Sequence, residues 1–162
     1  MPTERPMAIV LGGVNGAGKS TSARALLAEQ LAITTFVNAD EIARGLNAFA
    51  PETVAFTAGR LMLQRLKELA AERANFAFET TLAGRTSFSF LNGLKEIGFV
   101  VDLYYSWLTS AELAIERVQD RVASGGHNIP AATVRQRYER SMRNFSLDGL
   151  PSDRGFVVCL RQ

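Results

Sequence analysis

Residues 13–20 read Gly-Val-Asn-Gly-Ala-Gly-Lys-Ser, which is the G-x-x-x-x-G-K-S pattern of a phosphate-binding loop. This pattern requires a strand before it and a helix after it, because the loop amides and the helix N-terminus must point at one anion. The apolar run 7–11 that precedes the loop is typical of a buried parallel strand. Leu27 and Leu31, four residues apart, indicate a helix after it. The chain is therefore predicted to fold as an α/β protein.

The residues of this loop have distinct predicted roles toward a bound nucleotide. Its glycines lack the Cβ atoms that would keep a phosphate away from the backbone amides. Lys19 is predicted to contact the β- and γ-phosphates, and Ser20 to bind Mg²⁺ through its hydroxyl. A dinucleotide-binding G-x-G-x-x-G pattern is excluded, because Thr21 stands where the third glycine would be. The predicted nucleotide-binding residues are Gly13, Asn15, Gly16, Ala17, Gly18, Lys19, Ser20 and Thr21.

The composition argues against several other classes of protein. With 162 residues, 47% of them hydrophobic, the chain can bury a sizeable core. No apolar run approaches the ~20 residues of a membrane span, and residues 1–6 lack the apolar centre of a signal peptide. We therefore expect a cytoplasmic protein without a membrane partner. One Cys and one His form neither a disulfide nor a metal cluster, and a net charge of +2 is too small to indicate nucleic acid.

Strands and helices alternate along the chain without an internal repeat or a linker. This predicts a single doubly wound α/β domain over residues 1–162, of P-loop kinase type. We expect a mostly parallel sheet of about five strands, at 7–11, 35–40, 76–79, 99–108 and 156–160. Helices are expected at 19–31, 41–46, 51–73, 87–97, 111–122 and 130–144, with Ser110 as a cap and Leu61, Leu66 and Leu69 on an apolar side.

Polar side chains follow the second and third predicted strands, where ligands of such sheets gather. Asp40 could accept the proton of a substrate hydroxyl or hold the water shell of Mg²⁺, or it could cap the next helix. Glu79 ends an apolar strand and resembles the metal-supporting acid of P-loop enzymes, with a solvated strand end as the alternative. Thr80, Thr81 and Arg85 could contact a substrate, although the two threonines could equally cap a turn.

Basic residues are concentrated between residues 117 and 143, a stretch that contains six arginines and only two acidic residues. These arginines are Arg117, Arg121, Arg135, Arg137, Arg140 and Arg143. We interpret 117–143 as a mobile lid that brings guanidinium groups to a transferred phosphoryl group. Arg117 and Arg121, four apart on one helix face, are the predicted catalytic arginines. A solvated basic face is the alternative, and it is favoured more for the later arginines. His127 is interpreted as polar surface.

Four blocks of sequence together resemble the zeta toxin family, in particular its small single-domain bacterial members. The blocks are Gly12–Thr21, Val37–Ala43, Phe78–Arg85, and a last stretch from Arg121 through Gly125–Pro130 to Ser141. The loop alone is shared by very many ATPases, whereas the four blocks in this order are specific. The resemblance covers about residues 7–145.

The resemblance implies an ATP-dependent kinase of a small molecule, with ATP and Mg²⁺ as cofactors. In the best-understood members the acceptor is UDP-N-acetylglucosamine, which is phosphorylated on a sugar hydroxyl. The resemblance makes Asp40 the general base, places Glu79 in the substrate pocket, and assigns nucleotide and Mg²⁺ binding to Lys19 and Ser20. It also suggests an antitoxin protein as a partner. A kinase of another metabolite, and an ATPase module that works through a protein partner, are the alternatives.

The C-terminal segment 145–162 departs from the family pattern. Gly149 and Pro151 should break the helix soon after Asn144, and only 156–160 could form a further strand. No segment is left for the loop that contacts the base in related proteins, whether through truncation or through an altered reading frame. We therefore expect an intact phosphate site with an incomplete adenine pocket, weak ATP binding, poor rejection of GTP and low or absent catalysis.

Overall fold

A computed structural model describes residues 5–24, 33–126, 128–147 and 157–161 of the chain. The strands are β1 (Met7–Gly13), β2 (Phe36–Val37), β3 (Phe76–Thr80), β4 (Val100–Trp107) and β5 (Val157–Arg161). The helices are α1 (Lys19–Arg24), α2 (Ala39–Leu46), α3 (Ala55–Ala71), α4 (Arg85–Glu96), α5 (Ala111–Ala123) and α6 (Ala131–Leu147).

The strands form one five-stranded sheet in the order β2-β3-β1-β4-β5. Every neighbouring pair is parallel, and Val10 at the centre of β1 is in register with Phe78 of β3 and Leu103 of β4. The predicted α/β fold with a parallel five-stranded sheet is therefore confirmed. Because β1 lies between β3 and β4, the loop after β1 starts in the middle of the carboxyl edge of the sheet.

The central strand is buried on both faces, which explains why residues 7–11 read as a continuous apolar run. Successive side chains of a strand point to opposite faces. Accordingly, Ala8 and Val10 pack in one hydrophobic cluster, whereas Ile9 and Leu11 pack in another on the opposite face. The first of these clusters also contains Leu66 and Leu69 of α3.

The helix predicted at 51–73 begins with a 3₁₀ turn at Pro51–Val54 and continues as α3. Its buried side includes Met62, Leu66 and Leu69, but Leu61 is 40% exposed. The prediction that Leu61 packs in the core was wrong, because this residue lies about 100° round the helix from the buried stripe.

The second strand is much shorter than predicted, and the next helix begins earlier. Asn38, which directly follows β2, is the N-cap of α2, because its side-chain Oδ1 accepts a hydrogen bond from the backbone N–H of Asp40 at 2.8 Å. Asp40 therefore lies in the first turn of α2 and not at a strand end. The hypothesis that Asp40 caps this helix was wrong, because Asn38 occupies the N-cap, a position that Asn favours strongly.

Helices α5 and α6 carry the arginine-rich part of the chain. Ser110 caps α5 as predicted and accepts a hydrogen bond from Leu113 N–H at 3.1 Å. Helix α6 runs to Leu147, past the predicted end near Asn144. The hydroxyl of Tyr138 donates to Leu108 O at 2.9 Å, which ties α6 to the carboxyl end of β4.

The C-terminal strand predicted at 156–160 is present as β5, one residue later along the chain. Residues 148–156, and with them the predicted helix break at Gly149 and Pro151, lie outside the described residues, as does His127. The expectation of an incomplete adenine pocket, the single domain over 1–162 and the lid at 117–143 stay predictions. No helix in the described part of the chain is long and apolar enough to cross a bilayer.

Candidate functional site

The loop after β1 is held in a conformation that glycine favours at three positions. The φ angles of Gly13, Gly16 and Gly18 are +134°, +79° and +76°, a region that other residues rarely adopt. A Cβ atom on Gly13 would lie only 1.9 Å from the carbonyl oxygen of Ser106 in β4. The first glycine of the motif is thus required by contact with the neighbouring strand as well as by access for a phosphate.

Helix α5 packs directly against this loop. A Cβ atom on Gly16 would lie 3.0 Å from the carbonyl oxygen of Ala114 and 3.1 Å from the Cβ of Arg117. The loop residues Val14 and Ala17 are fully buried in the hydrophobic cluster that includes Ala114. The predicted arginine at 117 therefore starts beside the phosphate-binding loop.

The side chain of Lys19 is buried at the base of the loop, with only 6% of the residue exposed. Its Nζ donates a hydrogen bond to the carbonyl oxygen of Val14 at 2.8 Å and lies 3.8 Å from Oε1 of Glu79. The ammonium group is therefore positioned by the loop itself, next to a carboxylate delivered by β3.

Several charged groups act on this ammonium. Burial lowers the pKa of Lys19, whereas the carboxylates of Glu79 and Asp40 favour its charged form. Arg121 of α5 and Arg137 of α6 lower the pKa further. Guanidinium groups from α5 and α6, the carboxylate of Asp40 in the first turn of α2 and the carboxylate of Glu79 in β3 are thus close enough to influence a single lysine.

Glu79 is the centre of a hydrogen-bonded cluster. Its Oε2 accepts from the Ser20 hydroxyl at 2.7 Å and from Asn38 Nδ2 at 3.0 Å. With a side chain that is 15% exposed, Glu79 is held by its neighbours and is not a solvated strand end.

This cluster fits a Mg²⁺–nucleotide complex. The Ser20 hydroxyl and the Glu79 carboxylate are oxygen groups of the kind that Mg²⁺ prefers, and the lysine ammonium suits a phosphate. The backbone N–H groups of Lys19 and Ser20, in the first turn of α1, have no acceptor within the helix. In the part of the chain that the structure describes, the buried Oδ1 of Asn15 also has no hydrogen-bond partner.

A cavity of about 720 Å³ opens beside Glu79. Both polar and apolar side chains line this cavity. The polar lining residues include Asn38, Asp40, Arg60, Glu79, Thr80, Thr81, Gln136, Arg137 and Arg140. The apolar ones include Phe56, Met62, Leu63, Leu66, Phe78 and Phe90.

The predicted substrate residues fall into two groups. Thr80 and Thr81 line the cavity and also hold the turn after β3, because their hydroxyl oxygens accept from the N–H groups of Leu82 at 3.1 Å and Ala83 at 3.4 Å. Both interpretations of these threonines are therefore compatible. Arg85 is exposed at the start of α4 and does not line the cavity, since its helix begins there with this side chain on the solvent side.

The arginines that line the cavity were not among the predicted site residues. Arg137 and Arg140 come from α6, in the stretch for which a solvated face was a stronger alternative than for Arg117 and Arg121. Arg135, Arg140 and Arg143 are exposed, although Arg140 also lines the cavity, and Arg135 pairs with Glu112 on α5. Helical spacing could have identified Arg137. It lies three residues after Val134 and four before Ser141, both of which are buried, so it is on the inward side of the helix.

Comparison with known proteins places the chain in a family. The sequence model described as "Zeta toxin" matches residues 1–148. An uncharacterized protein of Haemophilus influenzae is 34% identical over 131 residues, which cover 81% of this chain and 91% of that protein.

Solved structures with the same fold include a kinase candidate from Chloroflexus aurantiacus, with a TM-score of 0.68 and 17% identity over 96% of this chain and 89% of that one. A chain of the PezAT toxin–antitoxin system of Streptococcus pneumoniae has a TM-score of 0.65 and 19% identity, over 98% of this chain and 70% of that one. The family model and the Haemophilus relative show the family, and the phosphate-binding loop on a parallel sheet shows the fold. The chain is therefore a member of the zeta toxin family with a P-loop kinase fold.

Proposed function

We propose that this protein is an ATP-dependent phosphotransferase that phosphorylates a hydroxyl group of a small molecule. The observation that carries the proposal is the position of Glu79, which accepts a hydrogen bond from Ser20 of the loop and also lines the cavity. A nucleotide on the loop and an acceptor in the cavity would therefore meet at one point. Family membership supports the same reaction class.

In the proposed reaction the loop amides and Lys19 hold the phosphates of ATP, and Ser20 and Glu79 hold Mg²⁺ directly or through water. The ion would neutralise phosphate charge. Asp40 lines the cavity and accepts the proton of the acceptor hydroxyl. A bond forms between the acceptor oxygen and the γ-phosphorus, the bond to the β-phosphate oxygen breaks, and ADP leaves.

Positive charge for the transferred phosphoryl group would come from two helices. Arg121 of α5 and Arg137 of α6 both act on Lys19, and Arg117 starts beside the loop. Guanidinium groups fixed near the phosphates stabilise the charge of the transition state. This assignment adds Arg137 to the two arginines expected from the sequence.

The first candidate acceptor is a UDP-amino sugar such as UDP-N-acetylglucosamine. Family membership supports this choice, and the cavity suits a ligand with anionic and apolar parts, because Arg137 and Arg140 face it together with Phe56 and Phe90. An antitoxin protein is a candidate partner, since a structural relative belongs to a toxin–antitoxin system.

The test is to incubate the protein with ATP, Mg²⁺ and a metabolite extract, and to identify phosphorylated products by mass spectrometry. UDP-N-acetylglucosamine alone is the second arm, and the Lys19→Ala variant is the control. An acceptor-dependent rise in ADP release supports the kinase. ADP release that no acceptor changes would instead indicate an ATPase module and contradict the proposal.

A further inference from the structure

The side chain of Asn38 joins the backbone of Asp40 to the carboxylate of Glu79. It lies at the junction of β2 and α2 and is 8% exposed. Its Oδ1 accepts from the backbone N–H of Asp40 at 2.8 Å, and its Nδ2 donates to Oε2 of Glu79 at 3.0 Å. The oxygen of this amide thus binds Asp40, the proposed base, and its nitrogen binds Glu79, which contacts the loop through Ser20.

We infer that Asn38 is a positioning residue, which holds Asp40 and Glu79 in a fixed relation across the carboxyl ends of β2 and β3. Its catalytic consequence rests on the proposed phosphotransferase function. The hydrogen bond between Asn38 and Glu79 does not depend on that function, because the stability of the protein without any ligand reports on it.

The two bonds require an amide at this position. The N-cap of α2 needs a side-chain acceptor, which Asp or Ser would also supply. Glu79 needs a donor, which a carboxylate cannot supply, and a serine hydroxyl is shorter and has a single hydrogen. An N-cap alone would leave Asn and Asp interchangeable, whereas the bridge to Glu79 distinguishes them.

Asn38 is also needed to fix the orientation of the Glu79 carboxylate. Lys19 Nζ lies 3.8 Å from Oε1, which is longer than a hydrogen bond, so the Ser20 hydroxyl and the Asn38 amide are the groups that hold Oε2. Loss of the Asn38 amide leaves the Oε2 atom held by the Ser20 hydroxyl alone, so the orientation of the carboxylate is less restricted.

Asn38→Asp is the discriminating variant. It keeps the helix cap but sets a second carboxylate against Glu79, where two like charges repel. We expect the unfolding temperature to fall by about 2–4 °C and kcat to fall about 10–100-fold. The KM for ATP should change less, because the loop backbone that holds the phosphates is untouched.

The matched control is Asn47→Asp at the other end of α2. The Oδ1 of Asn47 also accepts backbone N–H groups, those of Phe49 and Ala50 at 3.3 and 3.2 Å, and Asn47 does not line the cavity. This variant adds the same charge to the same helix and, like Asn38→Asp, loses an amide donor, here the one to Thr53 Oγ1. It should leave kcat unchanged.

A swap of the two groups tests the contact directly. In the double variant Asn38→Asp, Glu79→Gln the carboxylate at 38 can accept a hydrogen bond from the amide at 79. The temperature loss caused by Asn38→Asp should therefore disappear in the Glu79→Gln background, whereas the effect of Asn47→Asp should be the same in both backgrounds.

Two results would overturn the inference: an Asn38→Asp protein with the unfolding temperature and kcat of the wild type, or a loss of stability that Glu79→Gln does not reverse. Coupled stability with a full kcat in Asn38→Asp would also reject the positioning role. If the wild type transfers phosphate to no acceptor, the proposed function fails, and the stability cycle still decides whether the bridge exists.

Discussion

At the scale of single residues, the central feature is a buried ammonium with two carboxylates near it. Burial alone would favour the neutral form of Lys19, and it is the main reason that its pKa is lowered. Glu79 and Asp40 oppose this effect. The same carboxylates that are proposed to serve Mg²⁺ and the acceptor hydroxyl therefore also favour the charged form of this lysine.

Lys19→Ala should lower kcat by at least about 10²–10³-fold, because the charge that faces the phosphates is lost. The domain should stay folded, since the loop is held mainly by Val14, Ala17 and the contacts of its glycines. ADP release and circular dichroism measure the two effects. Lys67→Ala, an exposed lysine of α3, is the control and should behave as the wild type. Full activity of Lys19→Ala would reject the assignment of the loop.

Asp40→Asn should keep ATP binding but lower kcat by about 10²–10⁴-fold, because the proposed base is removed. The start of α2 should be unaffected, since its cap is Asn38. Glu41→Gln is the matched control on the same turn, where Glu41 is exposed and pairs with Arg44 at 2.8 Å. Calorimetric titration with ATP and steady-state kinetics separate binding from turnover. Near-normal turnover in Asp40→Asn would show that this carboxylate is not the base.

At the scale of elements, α5 and α6 pack against each other and share a hydrophobic cluster with the loop. Val118 of α5 and Val134 of α6 are buried in one cluster together with the loop residues Val14 and Ala17. Helix α6 is also anchored beyond that cluster, because Asn144 Nδ2 donates to Leu82 O at 2.7 Å. The arginines of α6 are therefore carried by a helix that is fixed to the body of the domain, which would pre-organise them for the phosphoryl group.

Replacement of Arg117, Arg121 or Arg137 by Ala should each lower kcat more than it raises the KM for ATP. The reason is that a guanidinium near the transferred group acts mainly on the transition state. Arg143→Ala, an exposed arginine of α6, is the control and should change neither constant. If kcat stays intact in the first three variants, their side chains are merely basic surface.

A buried hydrogen bond anchors α6 to the sheet and can be tested by stability alone. The hydroxyls of Tyr105 and Ser141 are 2.8 Å apart, and the Tyr105 ring stacks on Phe145 with centroids 4.0 Å apart. Tyr105→Phe should therefore lower the free energy of unfolding by about 1 kcal/mol, measured by urea denaturation. In a Ser141→Ala background, Tyr105→Phe should lower the free energy of unfolding by much less, because the hydrogen bond between the two hydroxyls is already lost. Tyr104→Phe, on the opposite face of β4, is the control.

At the scale of the whole molecule, the sheet order brings distant segments to one cavity. Residues of α2, α3, the end of β3 and α6 line it, and the loop that follows β1 adjoins it through Glu79. Neighbours in this site are far apart along the chain. A ligand that binds there should therefore stabilise the domain as a unit rather than one local segment.

Mg²⁺ and ATP together, at about 100 times the dissociation constant, should raise the free energy of unfolding by about 2.7 kcal/mol. For a chain of this size, that corresponds to a rise of about 5–10 °C in unfolding temperature. Differential scanning fluorimetry measures the shift, with Mg²⁺ alone and with Lys19→Ala as controls. An unfolding temperature that is unchanged at saturating nucleotide would contradict the proposed nucleotide site.

Much of this protein could be predicted from short stretches of sequence. The Ser110 cap depends on a hydrogen bond within three residues, and the phosphate-binding loop and the buried β1 strand were recognisable from a continuous motif and a continuous apolar run. The polar side chains at the ends of two strands were also expected to meet, because parallel strands end at one edge of a sheet. These features are local or follow from the fold class, and the structure contains each of them.

Other features depended on the packing of elements that are far apart in the chain. Which arginines reach the cavity was decided by the way α6 lies on the sheet, which turns Arg137 inward, whereas Arg85 begins α4 on the exposed side. The need for glycine at position 13 also came partly from the Ser106 carbonyl on another strand. Helical spacing places a side chain on a face, but only tertiary contacts decide what that face meets.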